Sequence, residues 1–311
     1  DDKPKSQRQR APSYGNFNRT SYARLALKCY FHYGVVRMTK RSFLSKLLPP
    51  DLVARLDASL KPVGSLGYDR WGFHSRTNRN SLAFTRLLYQ YYFRTEAYGL
   101  ENIPREGRVL LISNHSGYLP LDGVLIGIAL ATNPHGSRMP RAMIERFFPS
   151  VPWVGNWMNS VGAVVGDVQN CFDMLRADEA VIVFPEGVRG TGKGWDKRYE
   201  LQRFGRGFLH LAMETNTPII PVGVAGCEEA LPMFGNLPGL ARSFGLPYAP
   251  VALPIPLPAK VVLNFGQPIH FKGPVINEQD MEKNVEEVKQ AIRELINDGL
   301  RRRGTTGRVA K

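Results

Sequence analysis

Residues 109–122, with the sequence VLLISNHSGYLPLD, constrain the fold of this chain most strongly. The apolar run 109–112 predicts a buried strand, and the apolar run 124–131 predicts a helix. Pro120 fits the first turn of that helix, because its missing N–H would have no partner there. His115 then lies where the strand ends, and Asp122 lies in the first helical turn. Since ligands gather at the carboxyl ends of strands in α/β sheets, these residues are candidates for a general base and its orienting carboxylate.

A second predicted strand, 180–184, also ends in a turn that carries charged residues. The turn contains Glu186, Gly187 and Arg189. Two strand ends with complementary chemistry favour a functional site. The alternatives are a histidine that is a satisfied polar residue and a Glu–Arg pair that only steadies the turn.

Four blocks of sequence together resemble the glycerolipid acyltransferase superfamily, whose members acylate glycerol phosphate and lysophosphatidate. The resemblance extends over roughly residues 94–275. The blocks are Asn114-His115 with Asp122, the glycine-rich stretch 162–167, the stretch FPEGVR at 184–189, and the apolar stretch PIIPV at 218–222.

This resemblance implies a role for each matching residue. His115 is the expected base, oriented by Asp122, and the acceptor alcohol attacks the thioester directly, so that no serine nucleophile is needed. Asn114, Glu186, Gly187 and Arg189 are the expected substrate-binding residues. The expected substrates are an acyl thioester, from acyl-CoA or acyl-carrier protein, and a glycerolipid alcohol such as lysophosphatidate. No bound cofactor and no metal are expected.

Two departures from the family pattern keep other functions open. Six residues separate His115 from Asp122, two more than the family usually has, and Val168 stands where an arginine usually holds the acceptor's phosphate. The alternatives are therefore an acyltransferase for a neutral acceptor, diacylglycerol or a long-chain alcohol, and a catalytically silent lipid-binding relative. For the oxyanion, the backbone N–H groups near Gly117 or Gly187 are equal candidates.

The net charge of +14 on 311 residues predicts acidic partners. Lys193 and Arg198, in a basic loop, are candidates for binding coenzyme A phosphates or an acidic carrier protein. Nucleic acid is not an expected partner, because the charge is dispersed and no reader motif is present. The stretch 187–193 is close to a P-loop but lacks the Ser or Thr after the lysine, and no G-x-S-x-G motif occurs.

The chain divides by composition into four parts. We expect a disordered basic tail at 1–20, an N-terminal helical region at 21–93, an acyltransferase domain at 94–303 and a basic tail at 304–311. The segment 22–48 mixes aromatic residues with Arg and Lys, and it fits either a packed helix pair or an interfacial membrane segment. With no long apolar run, no signal peptide and three cysteines that lack metal spacing, we predict a peripheral protein on the cytoplasmic side of an anionic membrane.

Strands that alternate with helical patterns predict an α/β fold, with a mixed, largely parallel central sheet flanked by helices and an N-terminal helical appendage. Oligomeric state is not predicted. The expected strands are 93–98, 109–112, 141–145, 163–165, 180–184, 219–225 and 260–265. The expected helices include one capped by Asn80 or Ser81 and others at 124–131, 153–160, 168–177, 208–215 and 277–300.

Overall fold

A computed structural model of the chain describes residues 44–61, 63–148, 153–243, 249–271, 273 and 277–304. The predicted tail 1–20, the part of the predicted interfacial segment before residue 44 and residues 305–311 lie outside the described residues. The boundaries of the four predicted parts remain predictions.

The described helices and strands alternate along most of the chain. The helices are α1 (Pro50–Ser59), α2 (Ser75–Leu87), α3 (Leu121–Thr132), α4 (Val154–Ser160), α5 (Val168–Arg176), α6 (Val188–Thr191), α7 (Gly207–Glu214), α8 (Cys227–Ala230), α9 (Pro238–Ser243) and α10 (Glu278–Arg302). The strands are β1 (Glu96–Tyr98), β2 (Val109–Ser113), β3 (Arg141–Ile144), β4 (Ala163–Val165), β5 (Ala180–Val183), β6 (Ile219–Ala225), β7 (Met233–Asn236), β8 (Pro250–Ala252) and β9 (Val262–Phe265).

Seven strands form the central sheet, in the order β1-β9-β6-β2-β5-β3-β4. Only the β6–β9 pair is antiparallel, so the prediction of a mixed, largely parallel sheet is confirmed. The strands β7 and β8 form a separate antiparallel ribbon, which sequence reasoning did not predict. Because β2 lies between β5 and β6, its carboxyl end is central in the sheet, next to the end of β5.

Two apolar layers cover the two faces of the sheet. Leu111 belongs to the layer with α1 and α3, whereas Leu110 and Ile112 belong to the layer with α5, α7 and α10. Alternate residues of a strand point to opposite faces, so a fully buried β2 packs against both layers. The strand that carries His115 is therefore held on both sides, and this fixes where its carboxyl end lies.

The start of α2 differs from the prediction. The helix begins at Ser75, with His74 as its N-cap, and not near Asn80 or Ser81. The Nδ1 atom of His74 accepts a hydrogen bond from the backbone N–H of Thr77 at 3.3 Å. Residues 75–81 are polar, so the apolar periodicity that predicts helices begins one to two turns after the true start. Among the described residues, no helix has the length and hydropathy needed to cross a bilayer.

Candidate active site

The loop between β2 and α3 brings His115 and Asp122 into contact. The Nδ1 atom of His115 lies 2.7 Å from Oδ2 of Asp122, whose side chain is completely buried. Asp122 also accepts hydrogen bonds from the backbone N–H groups of Ser116, at 2.9 Å, and Gly123, at 2.7 Å. The two extra residues in the loop are thus compatible with a His–Asp dyad, because both the loop and the first turn of α3 hold the carboxylate.

The contact with Asp122 decides which nitrogen of His115 is basic. A carboxylate only accepts hydrogen bonds, so Nδ1 carries the proton and Nε2 is left as the proton acceptor. The imidazole ring also stacks on Phe184, with ring centroids 4.2 Å apart and planes 21° apart. Phe184 follows β5, so the neighbouring strand end fixes the plane of the ring.

Glu186 holds the two strand ends together. Its side chain is buried, and its Oε1 atom accepts a hydrogen bond from the backbone N–H of His115 at 2.9 Å. Its Oε2 atom accepts another from the backbone N–H of Gln202 at 2.8 Å. Glu186 therefore positions the backbone of His115, and the substrate-binding role that the sequence suggests for it stays a prediction.

Asn114 also differs from its predicted role. Its side chain is completely buried and bonds twice to Val224 of β6. The amide nitrogen donates to the carbonyl oxygen of Val224 at 3.1 Å, and the amide oxygen accepts from the N–H of Val224 at 2.8 Å. The amide is therefore occupied by the sheet and is not directed at a substrate.

The turn after β5 places Gly187 and Arg189 differently. Gly187 has a φ of 54°, and its N–H donates to the carbonyl of Phe184 at 3.0 Å. This hydrogen bond engages the N–H of Gly187, whereas the N–H of Gly117 makes no hydrogen bond to the described residues. Arg189 is exposed and donates one hydrogen bond, to the carbonyl of Arg203 at 3.1 Å, so its remaining N–H groups can meet a ligand.

The basic loop after α6 does not present Lys193 to solvent. The side chain of Lys193 is only 3% exposed, and its Nζ atom lies 2.8 Å from a carboxylate oxygen of Glu228. Burial opposes the charge, but the carboxylates of Glu228, Glu186 and Asp122 outweigh it and raise the pKa of Lys193. The ammonium group of Lys193 is therefore engaged with a buried carboxylate, and its contact with coenzyme A stays a prediction. Arg198 is exposed, with its guanidinium 4.8 Å from the ring centre of Trp195, and remains a candidate.

A cavity of about 640 Å³ extends from His115 between α2, α3 and α4. Small and apolar residues line most of it, among them Gly127, Ile128 and Met158. Its lining includes the titratable residues His115, Glu145, Asp167 and Cys171 but no lysine or arginine among the described residues. Walls of this composition suit an apolar chain. In the part of the chain that the structure describes, no cluster of side chains could hold a metal ion.

Comparison with known proteins matches the region that contains these strand ends. The protein-family model described as Acyltransferase matches residues 94–225. An uncharacterised protein of Mycobacterium tuberculosis is 34% identical over 251 residues, which cover 77% of this chain and 70% of the relative. This chain belongs to the glycerolipid acyltransferase superfamily. The prediction from the four sequence blocks is confirmed.

Two further relatives of this acyltransferase have descriptive names. The human protein named "DGAT1/2-independent enzyme synthesizing storage lipids" is 27% identical over 65% of this chain and 60% of its own length. Human 1-acyl-sn-glycerol-3-phosphate acyltransferase alpha is 25% identical over 48% of this chain and 51% of its own length. The names cover a storage-lipid enzyme and an enzyme named for a phosphorylated acceptor.

Sequence reasoning missed two contributors to the site of this acyltransferase. Glu228 follows β6 and pairs with Lys193, and an acidic residue just after a predicted strand is the signal that could have identified it. Gln202 contributes only its backbone N–H, for which a sequence offers no signal. Phe184 was part of the recognised FPEGVR block, but its stacking on His115 depends on a register between strands that a sequence does not reveal.

Proposed function

We propose that this chain is an O-acyltransferase that moves a fatty acyl group from acyl-CoA or acyl-carrier protein to the hydroxyl of a glycerolipid. One observation supports this most directly: the His115–Asp122 dyad lies at the wall of an apolar cavity. A base beside a slot for an apolar chain suits the transfer of that chain to an alcohol. We place the reaction at the surface of an anionic membrane, on its cytoplasmic side.

The reaction follows from the protonation of the dyad. The Nε2 atom of His115 takes the proton of the acceptor hydroxyl as the hydroxyl oxygen attacks the thioester carbonyl carbon. Asp122 stabilises the imidazolium, and the Gly117 N–H is the proposed donor to the oxyanion. When the tetrahedral intermediate collapses, the C–S bond breaks and the new ester C–O bond remains. The thiolate then takes the proton back from Nε2.

His115→Ala tests the proposed base. Loss of a positioned base lowers the rate by roughly 10²–10⁴-fold, so we expect transfer of a radiolabelled acyl group to fall by about that factor. The matched control is His210→Ala, since His210 is exposed on α7 and should be dispensable. Transfer at the wild-type rate by the His115 variant would remove this residue from the mechanism, and no turnover by the wild type would favour a silent lipid-binding relative.

The acceptor in this proposal is a lysophospholipid, of which lysophosphatidate is a simple example. Arg189 is exposed and directly precedes Gly190, where an added Cβ would meet His115, so its guanidinium is the proposed contact for the phosphate. The guanidinium group of arginine can form bidentate hydrogen bonds with a phosphate. The human relative named 1-acyl-sn-glycerol-3-phosphate acyltransferase alpha supports this acceptor class.

A neutral acceptor, diacylglycerol or a long-chain alcohol, is the second candidate. The specific observation in its favour is that the described lining of the cavity includes the exposed Val168 but no lysine or arginine. The relative named for storage-lipid synthesis points the same way. A panel of lyso-lipids and neutral alcohols offered with one acyl-CoA, with the products identified by mass, decides between the two candidates.

Arg189→Ala tests the proposed phosphate contact. With a lysophospholipid acceptor we expect the acceptor KM to rise about tenfold while the KM of the thioester changes little, because a charged hydrogen bond contributes about 1.5–3 kcal/mol. Arg105→Ala is the control, since Arg105 is exposed before the amino end of β2, away from the site. An unchanged acceptor KM would show that Arg189 does not bind the acceptor's phosphate and has a structural role only.

A further inference from the structure

The ribbon of β7 and β8 and the segment that follows it expose apolar side chains to solvent. We call residues 233–236 and 250–257 the apolar ribbon. Phe234 is 66% exposed and Ile255 is 69% exposed. Val251, Leu253 and Leu257 are also exposed. The sequence contains no charged residue at 231–237 or 249–259, although 22% of the whole chain is charged. Contiguous exposed apolar surface of this kind marks a contact with another apolar phase.

The apolar ribbon is attached to the loop that carries the catalytic dyad. The hydroxyl of Tyr118, in the loop between β2 and α3, donates a hydrogen bond to the carbonyl of Leu253. Leu231, just before β7, packs against Gly117 in the same loop. The hydroxyl of Tyr92 also donates to the carbonyl of Pro256 at 2.7 Å. Whatever the ribbon contacts is therefore brought next to the site.

Exposed apolar residues of α4, as well as a residue of the apolar ribbon, line the cavity. Pro256 of the ribbon and the partly exposed Leu119 line the cavity on one side. Val154 and Trp157 of α4 line it as well, and both are exposed. Trp153, directly before α4, is 88% exposed. Tryptophan is favoured where an apolar phase meets water.

We propose that the apolar ribbon inserts into the surface of a lipid bilayer and holds the mouth of the cavity against the membrane. The choice of a bilayer rests on the proposed function, because the ribbon is continuous with a cavity that we propose to hold a fatty acyl chain. Charge supports the same occupant. Arg94, exposed at the base of the ribbon, donates to the carbonyl of Pro258 at 2.9 Å, and a cation at that level would meet lipid phosphates.

The test is partitioning of the full chain onto vesicles without substrate, measured by co-sedimentation. We expect the wild type to bind phosphatidylcholine vesicles and mixed phosphatidylcholine–phosphatidylglycerol vesicles. The double variant Phe234→Ser with Ile255→Ser should partition at least about tenfold more weakly onto both, because two apolar side chains no longer enter the bilayer. The matched control is Leu66→Ser, since Leu66 is 82% exposed and lies outside the ribbon.

High salt separates insertion from charge attraction. Salt screens charges but leaves apolar burial intact, so the difference between wild type and double variant should persist in high salt. Equal partitioning of the two proteins, or a wild type that stays in the supernatant, would overturn the proposal. So would a difference confined to anionic vesicles and abolished by salt, because the attraction would then come from charge.

Two further measurements keep the test interpretable. Thermal unfolding shows whether the double variant is folded, and Ile255→Ser alone, outside a strand, replaces it if not. Light scattering shows whether the substitutions change the oligomeric state, and a wild-type dimer that dissociates would show that a second copy covers the ribbon, contrary to the proposal. Acyl transfer in detergent micelles tests the proposed function separately, because a micelle supplies the substrates without a bilayer.

Discussion

Gly190 shows how little space surrounds His115, the proposed base. A Cβ atom at this position would lie 2.8 Å from Cβ of His115 and 2.9 Å from Cβ of Glu186. Both distances are shorter than side chains tolerate, so any larger residue at position 190 must displace His115, Glu186 or the turn that carries them. The absence of a side chain here lets the two strand ends approach each other.

Gly190→Ala is therefore expected to lower kcat by about 10²-fold or more, since small displacements of a catalytic group carry costs of that order. The thermal midpoint should fall as well, because the crowding strains the folded state. The control is Gly207→Ala, where nothing lies within 4 Å of the added atom. Wild-type kcat in the Gly190 variant would mean that the turn can relax without moving His115.

At the scale of elements, the Lys193–Glu228 pair joins the loop after α6 to α8. Burial raises the pKa of Glu228 to about 7, although the charge of Lys193 opposes this rise. A carboxyl group whose pKa is raised by folding stabilises the fold while it is protonated. That contribution is present below the ordinary value of 4.5 and is lost as the pH rises through the folded value.

Lys193→Met should destabilise the protein by up to about 3–5 kcal/mol at a pH above the raised pKa of Glu228, where it leaves a buried carboxylate unpaired. Without the lysine the pKa of Glu228 rises further, so the loss should be smaller at about pH 5 than at about pH 8. Denaturant unfolding at both values measures it. The double variant Lys193→Met with Glu228→Gln should recover part of the loss at about pH 8. A loss of stability independent of pH would contradict this account.

The elements of the central sheet were largely predictable, and the physical reason is burial. The strands β2, β5 and β6 are buried on both faces and appear in the sequence as short continuous apolar runs. The ribbon of β7 and β8 was missed because its strands contain Gly235, Asn236 and Pro250, which are poor strand formers. Nothing in the sequence distinguishes its exposed apolar residues from core residues.

The location of the candidate site could be predicted from the sequence, but the contacts of its individual side chains could not. Strand ends and the family resemblance located His115, Asp122 and the turn at 184–189 correctly with respect to one another. Asn114 and Lys193 have partners within the protein that the sequence did not reveal, because a polar side chain near a strand end can satisfy either a ligand or a neighbouring strand. Which of these it satisfies depends on the pairing of β2 with β6 and on the position of α8, which are tertiary facts.

At the scale of the whole molecule, the excess of positive charge is the dominant long-range property. There are 41 Lys and Arg residues against 27 Asp and Glu, which gives the net charge of +14. Attraction to an anionic surface falls off within a Debye length, which shortens as the salt concentration rises. Charge and apolar exposure should therefore make separable contributions to membrane affinity.

We expect binding to mixed phosphatidylcholine–phosphatidylglycerol vesicles to weaken at least about tenfold between roughly 0.05 M and 0.5 M salt, since each nearby cation contributes about 1 kcal/mol at low ionic strength. Binding to pure phosphatidylcholine vesicles serves as the control and should change little. Co-sedimentation across a salt series measures binding to both kinds of vesicle. If binding to the two kinds of vesicle depends on salt in the same way, net charge does not govern the attraction of the protein to the membrane.

The side chain of Asn114 has a consequence for the backbone next to it. Its amide takes up the N–H and the carbonyl of Val224, the groups that the main chain of a longer β2 would otherwise pair with on β6. The main chain can therefore leave the sheet at this point without leaving the N–H and the carbonyl of Val224 unpaired. Because the main chain leaves the sheet here, the N–H of His115 is not part of the hydrogen-bond ladder between strands. It donates to Glu186 instead. Replacing Asn114 with leucine would leave the N–H and the carbonyl of Val224 unpaired beside the loop that carries His115.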